Sequence, residues 1–334
     1  MPQPRLIDLH IACLLDEGVD LEIAKALPAT KAARHDKSVV DSLRKLYRRV
    51  DTITLKESDP RWIEHLLKER PDVVFNLAQS ACPMEPSVAA CLEVCGCAYT
   101  GSGPRGIMLA NDKVRSRLLL QASGLRIPQF VELPPFEPIR ISLEPPFIVK
   151  PASLAGSTGI YSDSVTMNAN DVPRLAHRIW ARFSVSALCE QFIVGREFRV
   201  GIIEDEKGRL QSTGIFESIM TGHKPGWGFR TDAIRNNPRV GQANKATQRR
   251  TTRPAGLVEA LLDASRQAMS VLDVTGYATL DVRVGASGEP VILEVNANPG
   301  LVAGPFWGAR SFPTTLHCII QSGIRRYESN DKRL

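Results

Sequence analysis

The chain has 334 residues, 43% hydrophobic and 23% charged, with a formal net charge of +6 and a mean hydropathy of −0.11. That is an ordinary globular balance, enough for two domains or three small ones, and it excludes disorder, collagen and coiled coil as the main character. No apolar run reaches the roughly 18–20 residues that span a bilayer, and MPQPRLIDLH carries no basic-then-apolar export signal, so a cytoplasmic protein without a membrane partner is expected.

Strand and helix signals alternate through the first third. RLIDLHIACLL (5–15) is a short apolar run with a β-leaning core; DLEIAKAL and DSLRKLYRRV read as helices, the second with Leu43, Leu46 and Val50 on one stripe. DTITL is a strand. DPRWIEHLLKER begins with aspartate and Pro60 and places Trp62, Leu66 and Leu67 on one helical face. PDVVFNL is a buried strand, EPSVAACLEVCG a helix closed by Gly96, and CAYT the next strand. Strands separated by helices predict a parallel sheet in an open α/β layer.

After GSGPRG (101–106) comes a helix, NDKVRSRLLLQASG, then RIPQFVEL, a Pro-rich connection through Pro134, Pro135 and Pro138, the strand PFIVKPA and a Gly/Ser/Thr loop, AGSTGIYSDS. DVPRLAHRIWARF is a helix. ALCEQFIVGREFRVGII reads as two strands around Gly195, and QSTGIFESIM as another. GLVEALLDASRQAMSVL is a long amphipathic helix, and GYATLDVRV and EPVILEVNANPG are strands joined by the GASG turn.

Two compositional features stand out. Seven cysteines is an odd number, and Cys91, Cys95 and Cys97 crowd together without a neighbouring histidine. Small buried thiols on a helix and the following strand fit better than a disulfide framework or a metal cluster. Residues 222–254 hold eight Lys or Arg against one acid, Asp232, so the remainder of the chain is close to neutral. Such a segment is a nucleic-acid patch, a solvated loop or a cover over a polyanionic ligand.

The candidate chemistry lies in the last hairpin and the lysines before it. Thr279, Asp281 and Arg283 share one strand face, and Glu294 and Asn296 one face of the partner. Asp281, Glu294 and Asn296 offer three oxygen side chains to a hard cation such as magnesium. The alternative is an exposed face with a cross-strand Arg283–Glu294 pair. Lys150 ends an apolar strand beside a Gly/Ser/Thr loop, the make-up of a phosphate cradle. Lys113 lies just inside a helix, and Glu190 and Glu197 flank an extended link suited to an adenine amine and ribose hydroxyls.

In this order the segments PDVVFNLA, YTGSGPRGIMLANDKVRSRLLLQASGLRIPQF, PFIVKPA, GYATLDVRV and VILEVNANPGL resemble the ATP-grasp fold, specifically D-alanine–D-alanine ligases, over about 71–301. The resemblance implies an α/β fold of three lobes: an open parallel-sheet N-terminal domain (1–105), a central lobe (106–186) and a C-terminal lobe (187–334) whose basic segment 222–254 is a mobile lid. It implies that Lys113 and Lys150 hold the α- and β-phosphates of ATP. Glu190, the backbone of Phe192 and Ile193, and Glu197 would hold adenine and ribose, with Ser157 and Gly159 in a small phosphate loop. Asp281, Glu294 and Asn296 would bind Mg2+ (or Mn2+), and Lys224 falls where the family has a lid lysine. The implied reaction joins small-molecule carboxylate and amine substrates through an acylphosphate, with no nucleic-acid partner; a homodimer is common in the family.

The departures from the family lie on the substrate side. ACLLDEGVDLE replaces the Gly-Gly-x-Ser-x-Glu motif, AQSACPME replaces the His-Gly motif and leaves Glu85, and Leu154 replaces a loop glutamate. Val302, Ala303 and Gly304 stand where the family has hydroxyl residues, and Thr279 where it has an arginine that steadies charge at the reacting oxygens. Arg310 is the first candidate to replace that arginine, Arg230 the second, and Arg283 the third. The expected function is therefore an ATP-dependent ligase with an altered substrate site. The alternatives are a true D-alanine–D-alanine ligase and a non-catalytic ATP-binding protein.

Overall fold

The computed structural model describes residues 6–16, 31–56, 59–78, 85–154, 156–221, 223–236, 246–307 and 311–331. The first layer is a parallel sheet in which β1 (Ile7–Asp16) lies between β2 (Tyr47–Leu55) and β3 (Val73–Asn76). The continuous buried run Ile11–Asp16 is what a parallel strand covered on both faces should show. Helices α1 (Lys31–Leu43) and α2 (Arg61–Glu69) carry the chain between the strands.

Two expectations fail here. The predicted helix over 41–50 stops at Leu43, and Tyr47 opens β2. Leu43 and Tyr47 are both buried, but the three-residue turn between them lets Tyr47 pair beside β1 instead of continuing a helical stripe. On α2, Leu66 is buried while Leu67 is 50% exposed, because the next residue lies about 100° further round the helix. DLEIAKAL (20–27) lies outside the described residues.

Helix α3 (Glu85–Val94) leads to the segment 97–100, which joins the sheet only by a parallel bridge between Val74 and Tyr99. Cys91, Cys95 and Cys97 are free and only partly buried, not the buried thiols expected. The helix expected from Asn111 is really the second of two. Asp112, in extended conformation, ends α4 (Pro104–Asn111), and its carboxylate accepts the Val114 and Arg115 N–H groups to start α5 (Lys113–Ala122).

The central sheet is antiparallel, in the order β4 (Phe130–Leu133), β7 (Ala187–Gln191), β5 (Phe147–Pro151), β6 (Val165–Thr166). Helix α6 (Val172–Phe183) closes a separate core on it through Val172, Leu175, Ala176 and Ile179. The third sheet is also antiparallel and runs β10 (Ala246–Arg250), β9 (Leu210–Met220), β8 (Arg196–Glu204), β11 (Tyr277–Val284), β12 (Pro290–Ala297). A short helix, α7 (Asp232–Asn236), precedes β10, and α8 (Ala255–Val271) sets Leu261, Ala268 and Met269 against Phe198, Val200 and Leu280.

β10 corrects part of the lid expectation. Ala246–Arg250 is an edge strand paired with β9 and exposed over 247–250, and Arg249 donates to Glu217 at 2.7 Å. Glu217 also holds Arg196, so the basic side chain has a partner in the sheet and the strand is not a loose cover. Residues 237–245 lie outside the described residues. The final helix, α9 (Phe312–Asp331), returns to the first layer. Its Leu316, Ile319 and Ile320 are fully buried in one cluster with Ile11, Cys13, Val73 and Phe75. Among the described residues no helix is long and apolar enough to cross a membrane.

Candidate active site

β7 and β8 are the two strands expected around Gly195, but they do not pair with each other. They belong to different sheets, so Phe192–Gly195 is the hinge between the central and third sheets. Gly195 is required there: a Cβ would come within 2.2 Å of the Val284 carbonyl. The Phe192 N–H is donated to the Pro146 carbonyl at 2.7 Å. A cavity of about 110 Å³ opens beside the hinge and brings together Lys150, Ser157, Glu190, Phe192, Ile193 and Glu197 from one side and Arg199, Arg230, Asp281, Arg283 and Glu294 from the other. A wider groove of about 560 Å³ shares Gln191, Phe192 and Ile193, but Arg126 is its one charged lining residue.

The cavity is a lattice of ion pairs. Glu190, 1% exposed, receives Lys150 at 2.6 Å on one oxygen and Arg117 on the other. Lys113 bridges the Leu154 carbonyl at 2.6 Å and Glu294 at 2.9 Å. Burial pulls the Lys150 ammonium below its ordinary range; Glu190 opposes this, and Arg117 and Lys113 add to it. Burial alone would raise the Glu294 carboxyl, but Lys113, Lys150 and Arg117 outweigh it and hold it below the usual carboxylate range. Lysines that are buried and converge on two carboxylates suit an anionic ligand that would take over as their partner.

In the last hairpin Asp281 stands directly opposite Glu294, and Thr279 opposite Asn296. The same-face placement of the three predicted cation ligands follows from this register. Each carboxylate already faces a positive group: Arg199 grips Asp281 through two bonds of 2.8 and 3.1 Å, and Lys113 holds Glu294. Among the described residues no group of three or more His, Cys, Asp or Glu could hold a metal; the donor set here is two carboxylates and an amide. Arg283 does not pair with Glu294. It is opposite Val291 and turns to Glu197 at 2.8 Å, to the Ile193 carbonyl at 2.9 Å and to the Gly226 and Gly228 carbonyls, with its guanidinium 4.5 Å from the Phe192 ring. One buried arginine thus fixes the hinge, the candidate ribose carboxylate and the start of the basic segment.

That start covers the hinge. Trp227 stacks on Phe192 with centroids 5.8 Å apart, and Phe229 meets the same ring edge-on at 6.0 Å. Arg230 lines the cavity, whereas Lys224 is exposed and does not line it. In the phosphate-loop candidate, Ser157 (φ 64°) lines the cavity and the Gly159 N–H donates to Asp232 at 3.4 Å. Thr279 is buried at 6% exposure, and Arg310 lies outside the described residues.

Sequence reasoning missed two residues. Arg117 is 2% exposed and ties Glu190 to the Lys113 and Leu293 carbonyls. Its only sequence signal is its place four residues after Lys113, one helical turn on. Arg199 gave no signal, because its partner lies 82 positions away on another strand.

Comparison with known proteins places this geometry. Residues 124–307 match the family model for the D-ala D-ala ligase C-terminus. The chain is 31% identical over 255 residues to a D-alanine–D-alanine ligase of Cereibacter sphaeroides, covering 75% of this chain and 76% of that protein. It is 29% identical over 296 residues to one of Gluconobacter oxydans, covering 84% and 90%. The fold superposes on a crystal structure of D-alanine–D-alanine ligase from Bacillus anthracis complexed with ATP, with a TM-score of 0.74 at 19% identity over 97% of this chain and 99% of that one. The chain therefore belongs to the D-alanine–D-alanine ligase family of the ATP-grasp fold and is an ATP-dependent ligase that forms C–N bonds.

Proposed function

We propose that the chain joins a carboxylate to an amine through an acylphosphate, with substrates other than two D-alanines. The observation that carries this reading is the contrast between a cavity built around Lys113, Lys150, Glu190 and Glu294 and an acceptor stretch with no matching polar groups. A carboxylate oxygen attacks the γ-phosphorus of ATP and the bond to the β–γ bridging oxygen breaks, releasing ADP. The amine nitrogen then attacks the acyl carbon, loses a proton, and phosphate leaves.

In this reading Lys150 and Lys113 exchange Glu190 and Glu294 for phosphate oxygens, Glu197 held by Arg283 meets the ribose, and the Phe192–Trp227 stack shields the hinge from water. Asp281, Glu294 and Asn296 fit a magnesium or manganese ion, since the hairpin register sets two carboxylates face to face with an amide beside them. Such an ion supplies charge neutralisation at the phosphate oxygens. Val302–Pro305 is exposed and bears no hydroxyl or charge, and Phe306 then packs on Phe216 at 5.4 Å and Trp307 at 5.2 Å. That supports an acceptor recognised by shape and apolar contact.

The relatives' names favour a second reading, in which D-alanine is itself the substrate. The test is ADP release from ATP and magnesium against a panel of D- and L-amino acids and simple amines. The proposed reading expects the fastest release with a substrate other than D-alanine. D-alanine as the best donor and acceptor would establish the second reading.

A further inference from the structure

Among the described residues four arginines stand at the cavity, Arg199, Arg230 and Arg283 in its lining and Arg117 behind Glu190, and three of them differ in what holds them. Arg117 and Arg283 have side chains 2% exposed, and each is locked by backbone carbonyls as well as by a carboxylate. Both are scaffolding. The Arg199 side chain is 32% exposed, lines the cavity, and is held among the described residues by the Asp281 carboxylate, with no backbone carbonyl of those residues bonded to it.

We propose that Arg199 is a catalytic cation with two partners: it pairs with Asp281 as seen here, and it moves to the oxygens of the transferred phosphoryl group when Asp281 is engaged by a divalent cation. The inference rests on the ligase reading given above. Its geometric basis is the strand register. Arg199 on β8 is opposite Asp281 on β11, so both project from the same face of the sheet. Their neighbours Val200 and Leu280 project from the other face and are fully buried in the core beneath α8.

Charge decides the direction of the swing. A divalent ion on Asp281 repels the guanidinium bound to the same carboxylate and weakens its hold. The displaced guanidinium needs a planar anionic partner with two or more oxygens, and a phosphoryl group provides it. β11 offers no other mobile cation at this height. Thr279 is uncharged and faces Gly201, and Arg283 is committed to Glu197. The positive group absent from position 279 is thus supplied from the neighbouring strand.

The probe is magnesium–ADP with and without aluminium fluoride, a mimic of the phosphoryl group in flight, measured by calorimetry. This reads the role of Arg199 without any turnover. In the unaltered chain aluminium fluoride should tighten the complex. Arg199→Gln should leave magnesium–ADP affinity within about threefold and lose at least tenfold of the tightening; Arg199→Lys should fall between them and serves if the glutamine variant does not fold. Moving the guanidinium across, in Arg199→Gln with Thr279→Arg, should restore part of the loss. If Arg199→Gln weakens magnesium–ADP itself tenfold, the arginine only positions Asp281 and the proposal is overturned; an unchanged fluoride effect overturns it too. An unaltered chain that shows the fluoride effect but releases ADP with no amino acid or amine refutes the ligase reading while the Arg199 assignment stands.

Discussion

The hinge cavity and the stretch beyond the last hairpin are neighbours, built on different principles. Around the hinge, Glu190, Glu197, Asp281 and Glu294 each hold a buried or half-buried cation. At Val302–Pro305 the chain turns through four exposed residues without charge and then packs ring on ring through Phe306 and Trp307. A charge lattice fixes one ligand chemistry, since each removed ion leaves a buried partner without compensation. An apolar turn tolerates change, since its contacts are soft and numerous. In the proposed reading the charge lattice sets how the nucleotide is recognised, and substrate choice is where this chain is free to differ from its relatives.

The largest effects should come from the lattice. Lys150→Ala should weaken ATP binding at least 100-fold, about 2.7 kcal/mol, with the circular dichroism spectrum unchanged. An affinity within threefold of the unaltered chain would break the comparison at its strongest point. Glu294→Gln should reduce ADP release by about 100-fold with ATP affinity reduced far less, as steady-state kinetics and calorimetry would show.

Glu85 sharpens the comparison from outside the cavity. Burial raises its carboxyl to about 7, although the Asn111 and Asn298 amides pull the other way. With a folded value above the unfolded one, the folded chain holds the extra proton between about 4.5 and about 7. Its contribution is therefore complete below about 4.5 and is lost as pH rises through about 7. Urea unfolding should show Glu85 accounting for about 3 kcal/mol of the stability lost between these limits, and Glu85→Gln should reduce that slope, with Asp36, also raised to about 7, keeping part of it. Phe306→Ala should raise the KM of the preferred amine about fivefold, roughly 1 kcal/mol, and leave ATP affinity alone. A loss of ATP affinity instead would join the two regions. The smallest effect belongs to Arg249→Ala: Arg196 still holds Glu217, so the loss should be below about 1 kcal/mol, read as a shift of a few degrees at most in thermal melting.

How much of this was legible in the sequence depends on separation along the chain. Asp281 and Glu294 were legible as oxygen side chains on paired strands, although their register is set by a bulge at Leu293 and not by the short turn, and Lys150 was legible because its strand and loop are adjacent. Tyr47 was misread because Leu43, Leu46 and Val50 satisfy a helical spacing that the β1 partner overrides. The split of β7 and β8 into two sheets, and with it the hinge, cannot be read from a Gly turn that serves a hairpin equally well. Arg117 and Arg199 act through partners that only tertiary structure brings near.

The return of α9 to the first layer has a consequence for how the protein is made. Translation delivers Ile11, Cys13, Val73 and Phe75 well before Leu316, Ile319 and Ile320, yet all of them share one cluster. Each of those three side chains is worth roughly 1.5–3 kcal/mol when buried. Until the ribosome has released the C-terminal helix, the opening sheet keeps an apolar face uncovered, and a chaperone has its longest opportunity there. A premature stop before residue 312 would spare every residue of the charge lattice and still leave a protein whose beginning cannot hold together.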